Sequence, residues 1–287
     1  MNWSNSITKL LDIQYPLIQA PMFGVTTPEM VAAASKANTL GSLSVADLPA
    51  DTCIELIRKT NQLTDKPFAV NIFLQAISEL SDSLKKQYNE TKNFIENLAK
   101  EHDLPVTLPE IDQIHLTDYH DQVDAIIAEN CKIVSFTFGN LDSESIRKLK
   151  NHHVILIGTC TSVEEAKILE EAGIDLICVQ GIEAGGHRGS FTDGDIPQIG
   201  GFSLLSQVFE QVKVPIIYAG GIYNARTLLG AKTLGAQGFQ IGSLLLNSSE
   251  SALLDFEKEE LRNLKEKDII LTKSFSGRFA RGIQNTF

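Results

Sequence analysis

Eight short apolar runs, separated by stretches with helical patterning, constrain this chain more than any other feature. They are Tyr15–Met22, Leu40–Val45, Phe68–Phe73, Ile133–Phe138, Val154–Thr159, Leu176–Gln180, Pro215–Ala219 and Gly238–Ser243. Most are almost wholly apolar instead of alternating, the pattern of strands covered on both faces. Strands of that kind interleaved with helices imply a parallel sheet joined by right-handed crossovers. The helices mark their own ends. Thr27-Pro28-Glu29 reads as a cap, a proline at the first helical position and an acid in the first turn. Ser162 stands three residues before Glu165, a capping-box spacing, and Gly173 closes that helix. Asn224 to Leu234 plays the same part after the seventh strand. The expected fold is α/β, a (β/α)8 TIM barrel. A doubly wound open sheet is the alternative, but no GxGxxG follows the first strand.

The rhythm breaks once. Residues 75–130 are polar and charged, with helical stretches near Leu84–Lys100 and Tyr119–Asn130, too long for a simple crossover. They read either as a helical excursion near the barrel mouth or as a solvated insertion without function. The expected division is therefore a barrel from 1–74 and 131–250, an excursion at 75–130 and a C-terminal segment at 251–287. The net charge of −11, from 25 basic and 36 acidic residues, offers no basic stripe to nucleic acid or an anionic membrane. No apolar run approaches membrane-spanning length, and Met1-Asn2-Trp3-Ser4 has no leader pattern, so a cytoplasmic setting is expected. Cys53, Cys131, Cys160 and Cys178 form no CxxC pair and no zinc spacing. Three sit in apolar, strand-like contexts as reduced packing thiols; Cys160, at a strand end beside Gly158 and Thr159, is also read as packing.

In such a barrel the chemistry belongs at the C-terminal ends of the strands. Those ends present Ala20-Pro21-Met22, Asn71, Phe138-Gly139, Thr159, Gln180, Gly185-Gly186-His187, Gly220-Gly221 and Gln240 to Ser243. With no carboxylate cluster and no metal-spaced histidines, the set argues against metal hydrolysis, glycoside cleavage and a Ser-His-Asp triad. It suits a planar heterocycle bearing a phosphate. Asn71 and Gln180 can each donate and accept along a flavin edge. Gly220, Gly221, Gly242 and Ser243 end strands seven and eight, the usual phosphate site of this fold. Taken singly, Gly-Gly is a turn and a strand-end asparagine is a cap. His187, set among glycines, is placed for proton chemistry, although a lone loop histidine is more often a solvated one. Glu183 and Arg188 beside it read as solvated charges.

These segments resemble those of the nitronate monooxygenases, formerly called 2-nitropropane dioxygenases, which are FMN-dependent (β/α)8 enzymes. The resemblance runs from about Tyr15 to the last residue. It is carried by Pro16–Met22 with Gly24–Pro28, Pro67–Phe73, Val134–Gly139, Gln180–Phe191, Ala219–Ile222 and Gln240–Ser243. The Gln180–Phe191 and Gly24–Pro28 segments are similar to the first class of the family, and Phe275–Gly282 resembles a signature near its C-terminus. The resemblance implies FMN held by Asn71, Gln180, Gly185, Gly220, Gln240, Ile241, Gly242 and Ser243, with Met22 and Gly221 at the same rim, and His187 as the catalytic histidine. It implies oxidation of an alkyl nitronate, such as propionate 3-nitronate, by O2 to a carbonyl compound and nitrite, with no metal and no nicotinamide. His187 would take the α-proton of a neutral nitroalkane and, once protonated, stabilise an anionic nitronate. The expected partners are that small molecule and O2, with a homodimer allowed. Two departures stand out: Ser44-Val45-Ala46-Asp47 replaces a glycine-rich turn, and family members usually continue past Arg281-Gly282. The rival readings are an NAD(P)H-dependent flavin reductase, of enoyl-acyl-carrier-protein or quinone type, and a non-catalytic flavoprotein.

Overall fold

The computed structural model describes residues 3–74, 80–114 and 116–285; the ends of the expected C-terminal segment and the first residues of the expected excursion (75–79) lie outside them. In chain order the first half runs α1 (Ser6–Leu10), β1 (Leu17–Gln19), α2 (Pro28–Lys36), β2 (Gly41–Ala46), α3 (Ala50–Leu63), β3 (Phe68–Phe73), α4 (Asp82–Glu101), α5 (Tyr119–Ala128), β4 (Ile133–Thr137) and α6 (Ser143–Asn151). Then come β5 (Ile155–Cys160), α7 (Val163–Glu171), β6 (Leu176–Gln180), β7 (Gly186–His187), α8 (Gly201–Gln211), β8 (Ile216–Ala219), α9 (Ala225–Thr233) and β9 (Gly238–Ile241). The chain closes with α10 (Asp255–Asn263), β10 (Ile269–Thr272) and β11 (Ala280–Ile283).

Eight parallel strands pair in the order β1-β9-β8-β6-β5-β4-β3-β2, and a parallel bridge from Ile18 to Leu40 closes the ring. The (β/α)8 barrel expected from the apolar runs is the fold. The first and last strands are shorter than their runs: β1 ends at Gln19 and β9 at Ile241, so Met22, Gly242 and Ser243 belong to the loops above them. Strand parity sorts the side chains into two cores. Val70, Ile72, Val134, Phe136, Leu156, Ile177, Val179, Ile216, Tyr218 and Phe239 pack outward with the helices. Ile18, Ala69, Ile133, Ile157, Leu176, Cys178 and Ile217 fill the interior, where Ile7 and Leu11, from α1 and just past its end, join them.

Local signals in the sequence account for the helix starts. Thr27 caps α2 through the Met30 amide with Pro28 in its first turn, and Ser162 caps α7 through Glu165 N–H. The second half of the expected capping box is absent, because the Glu165 carboxylate accepts from Thr161 N–H, Thr161 Oγ1 and Phe191 N–H instead. α5 lies on the barrel: it buries Gln122, Val123, Ala125 and Ile126, and is the helix that leads into β4. Its charged outer residues, Asp121 and Asp124 among them, are what make it read with the polar segment before it. In α4, by contrast, only Ala99 is buried. The C-terminal residues form an antiparallel hairpin, β10 with β11, and β11 pairs in turn with β7.

Candidate active site

The barrel interior changes from apolar to polar at one height. On β3 the inward positions are Ala69 and then Asn71; on β4, Ile133 and then Ser135; on β5, Ile157 and then Thr159; on β6, Cys178 and then Gln180. Ser44, Asn71 and Ser135 are in register on adjacent strands. Asn71 is 1% exposed and donates from Nδ2 to Ser135 Oγ at 3.0 Å. Its Oδ1 and the Ser44 hydroxyl have no partner. A buried acceptor without a donor costs about 1–3 kcal/mol, so Asn71 Oδ1 is aimed at something the protein chain does not supply.

Above this layer the loops after β1, β6, β8 and β9 come close together, with glycines at the points of approach. A Cβ on Gly185 would lie 2.9 Å from Ser243 Oγ, and one on Gly242 3.4 Å from Met22 Sδ. Gly220 and Gly221 have φ of +117° and +65°, and a Cβ on Gly220 would stand 3.1 Å from the Ala184 amide nitrogen. Only glycine takes the first of these conformations without strain, and the bare backbone it leaves is what a phosphate needs. Gln240 joins the same ring through its pairing with Ala219, the partner of Gln180, while Ile241 pairs with Gln19 and accepts the Ala20 N–H.

Gln180 organises the loop that carries His187. Its Nε2 donates to the His187 carbonyl at 3.0 Å and its Oε1 accepts from Gly189 N–H at 2.8 Å. One Nε2 hydrogen is left for a ligand. Arg188 is not the solvated charge its sequence position suggests: it is 4% exposed and donates to the backbone carbonyls of Gln180 and Thr161. Burial lowers its pKa, and the charge of Glu165 works against that. Glu183 is exposed, as expected, but both its oxygens accept the Gly201 N–H at the start of α8. The loop is thus tied down from inside, which a chain of glycines could not manage alone.

His187 itself is held by residues far away in sequence. β11 pairs with its backbone, Ala280 opposite His187, and Arg188 N–H donates to Phe279 O at 2.7 Å. The ring nitrogen Nε2 lies 2.7 Å from Ser276 Oγ. The ring meets Phe138 edge-on at 5.8 Å, Phe138 meets Phe73 at 4.8 Å, and Phe73 meets Phe23 at 6.2 Å. Phe138 holds this place with φ +75°, an outlier for an aromatic residue at the foot of the site. Arg278 lies over the Phe138 ring at 4.5 Å. His187 is exposed as a residue and its ring is only partly desolvated; that desolvation first, and then the Arg278 charge, shift its pKa downward.

The residues the sequence singles out therefore meet at one end of the barrel: Met22, Gly185, Gly220, Gly221, Gly242 and Ser243 along the rim, Asn71, Gln180 and Gln240 beneath it, and His187 beside it. Sequence reading alone gave no role to Ser276, Arg278, Phe73 or Phe138, although Ser276 and Arg278 stand in the Phe275–Gly282 signature. In the Ser44–Asp47 stretch, Ala46 ends β2 with φ +47°, at a shift in the register with β3. The cysteines are packing residues. All four are free; Cys53, in α3 and not in a strand, and Cys160 and Cys178 are buried, and burial raises the thiol pKa of every one. A hollow at the opposite, N-terminal end of the strands, lined by Asp12, Lys66, Glu129, Cys131 and Lys132, lies away from all of this.

A glycine-rimmed barrel mouth thus stands over a polar inner layer, with one imidazole at its edge, in an α/β barrel. The sequence pattern of the nitronate monooxygenase family matches residues 4–287, and the chain belongs to that family. It is 38% identical to the "Probable nitronate monooxygenase" of Staphylococcus saprophyticus, over all of this chain and 80% of that protein. To the "Probable nitronate monooxygenase" of Staphylococcus aureus strain JH9 it is 37% identical, over 99% and 79%. Nitroalkane oxidase from Streptomyces ansochromogenes superposes with a TM-score of 0.85 at 30% identity, covering 98% of this chain and 79% of that one. FabK from Thermotoga maritima gives 0.75 at 27% identity, covering 99% and 75%. Among the described residues no helix is long and apolar enough to cross a membrane, and no group of side chains could hold a metal ion.

Proposed function

We propose that the protein binds FMN at the barrel mouth and oxidises alkyl nitronates with O2 to a carbonyl compound and nitrite. Family membership implies a flavin; the choice of FMN rests on the bare rim. The observation that carries the reading is the unpartnered Asn71 Oδ1, a buried acceptor facing a polar layer that a flavin edge would complete. The residues fit the group: Asn71 and the free Nε2 hydrogen of Gln180 would meet the ring. The backbone of Gly185, Gly220, Gly221, Gly242 and Ser243 would meet the phosphate. Bound FMN would supply the electron relay between substrate and oxygen.

The chain's own part is binding and proton transfer. His187, whose pKa is shifted downward by partial desolvation and then by the Arg278 charge, would accept the α-proton of a nitroalkane. Phe73 and Phe138 wall the site with apolar surface, keeping water from the reacting carbon. Gln180 and Arg188 fix the loop so that the imidazole does not drift. A cytoplasmic setting goes with this reading, supported by four free cysteines. The test is direct. The purified protein should be yellow, should release FMN on heating, and should form nitrite from ethylnitronate in air. A colourless protein that does not bind added FMN, or rapid anaerobic bleaching by NADH, would overturn it.

A further inference from the structure

A nitronate arrives as an anion, and a neutral His187 gives it no positive charge. Three arginines surround that loop. Arg188 is buried with its donors on the Gln180 and Thr161 carbonyls, and Arg281 donates from Nε to the Ile182 carbonyl at 3.0 Å. Lys273 is turned to the Asp193 carbonyl and the Phe279 ring. Arg278 is different. Its guanidinium carbon lies 4.5 Å from the centre of Phe138, the ring that meets His187, and its side chain is 18% exposed, lodged at the mouth without being sealed in. It donates to the Ser190 carbonyl at 3.3 Å and pairs with Asp193, whose side chain is 70% exposed.

We propose that Arg278 is the anion-holding residue of the site: its guanidinium grips the two oxygens of an anionic nitronate, while His187 serves only the neutral nitroalkane. This deepens the nitronate reading above and rests on it. The chemistry matches. A nitronate, like a carboxylate, presents two oxygens in one plane, and the guanidinium fork binds such a pair bidentately. Asp193 holds the fork from the solvent side, and its 70% exposure lets water take over its half of the pair, which lowers the cost of giving the pair up. The Phe138 face holds the guanidinium in place by cation–π contact. The hairpin that places Ser276 against the imidazole also places Arg278, so β10 and β11 would supply one group for each charge state of the same compound.

That duality makes the test sharp. Carbon acids ionise slowly, so nitroethane and ethylnitronate can be assayed separately at the same pH, here pH 8, where His187 is neutral in every variant. Arg278→Met keeps the aliphatic stem on Phe138 and should raise KM for ethylnitronate by about tenfold or more, while KM for nitroethane, which binds uncharged, changes by less than about threefold; nitroethane kcat falls as well, because deprotonation leaves the same anion in the site. Arg278→Lys should recover part of the loss. Equal rises in KM for both compounds, or none for the nitronate, overturn the proposal. A binding measurement separates its failure from that of the functional reading. By calorimetry, propionate should bind the wild-type flavoprotein about tenfold tighter than propionamide, of the same shape but uncharged, and Arg278→Met should abolish the difference. Absence of that preference in wild type overturns the role of Arg278 whatever the turnover. Absence of nitrite from both nitro compounds, with the preference intact, overturns the nitronate reading alone. An unchanged melting temperature and flavin content show that the Met variant is folded.

Discussion

Replacing Ser276 by alanine removes one hydroxyl 2.7 Å from His187 Nε2 and disturbs little else. The other bonds of that hydroxyl, with Arg278 N–H and Arg278 O, are both 3.4 Å long and contribute weakly. The hairpin itself stays docked through the pairing of β11 with β7 and the Arg188–Phe279 backbone bond. A single side-chain hydrogen bond of this kind is worth about 1 kcal/mol net, which is about fivefold in rate when it aligns a base. The loss should fall on the step that uses the base. For Ser276→Ala, kcat/KM with nitroethane should drop about fivefold, mostly in kcat, while ethylnitronate, which has no α-proton to surrender, changes less than about twofold. Ser276→Thr should restore the nitroethane rate, since it returns a hydroxyl to the same place. Steady-state nitrite release with both compounds, on protein of equal flavin content, decides it. Equal losses with both compounds would mean that Ser276 merely supports the hairpin, and no loss with either would mean that the imidazole is held by other contacts.

Two further outcomes follow from the same geometry. The kcat/KM for nitroethane should fall in acid with a midpoint below the ordinary histidine value of 6.5, and Arg278→Met should move that midpoint upward; an acid limb at or above 6.5 in the wild type refutes a neutral base. The sign for stability is the same: between the depressed pKa and 6.5 the unfolded chain holds more protons, so this ring makes the fold less stable as pH falls through that window. Gly220→Ala must adopt φ +117° with its Cβ 3.1 Å from the Ala184 amide, a strain of about 1–3 kcal/mol that pushes on Ala184 and Gly185. FMN affinity, followed by fluorescence titration, should weaken about tenfold or more, and an unchanged Kd would remove the phosphate from this rim.

Much of the site was open to sequence reading because barrel geometry turns order along the chain into position in space. Asn71, Gln180 and Gln240 lie in the C-terminal halves of their strands and the glycines at or beyond the strand ends, and every apolar run ends at the same face of the barrel. His187 was marked by its glycine neighbours. Arg188 was misread because burial of a charge is set by what surrounds it; nothing in its flanking sequence shows the two carbonyls and the nearby Glu165 that make burial tolerable. α5 was grouped with the polar segment because its outer face is charged, and only its packing shows which face the barrel covers. Cys53 was assigned to a strand-like context because a short apolar stretch cannot by periodicity alone be told from a buried helix face.

The chain's own order of residues settled the parallel eight-stranded ring, the helix caps and the glycine-lined mouth, since these follow from strand composition, local hydrogen bonding and backbone freedom within a few neighbours. Only folding in three dimensions decided what surrounds the histidine. Ser276 sits 89 residues beyond His187, and Arg278 reaches Phe138 across the whole second half of the barrel. The protonation state of the imidazole and the place of the compensating cation depend on distances between such remote groups, and electrostatic coupling falls with separation in space, to which separation along the chain is no guide.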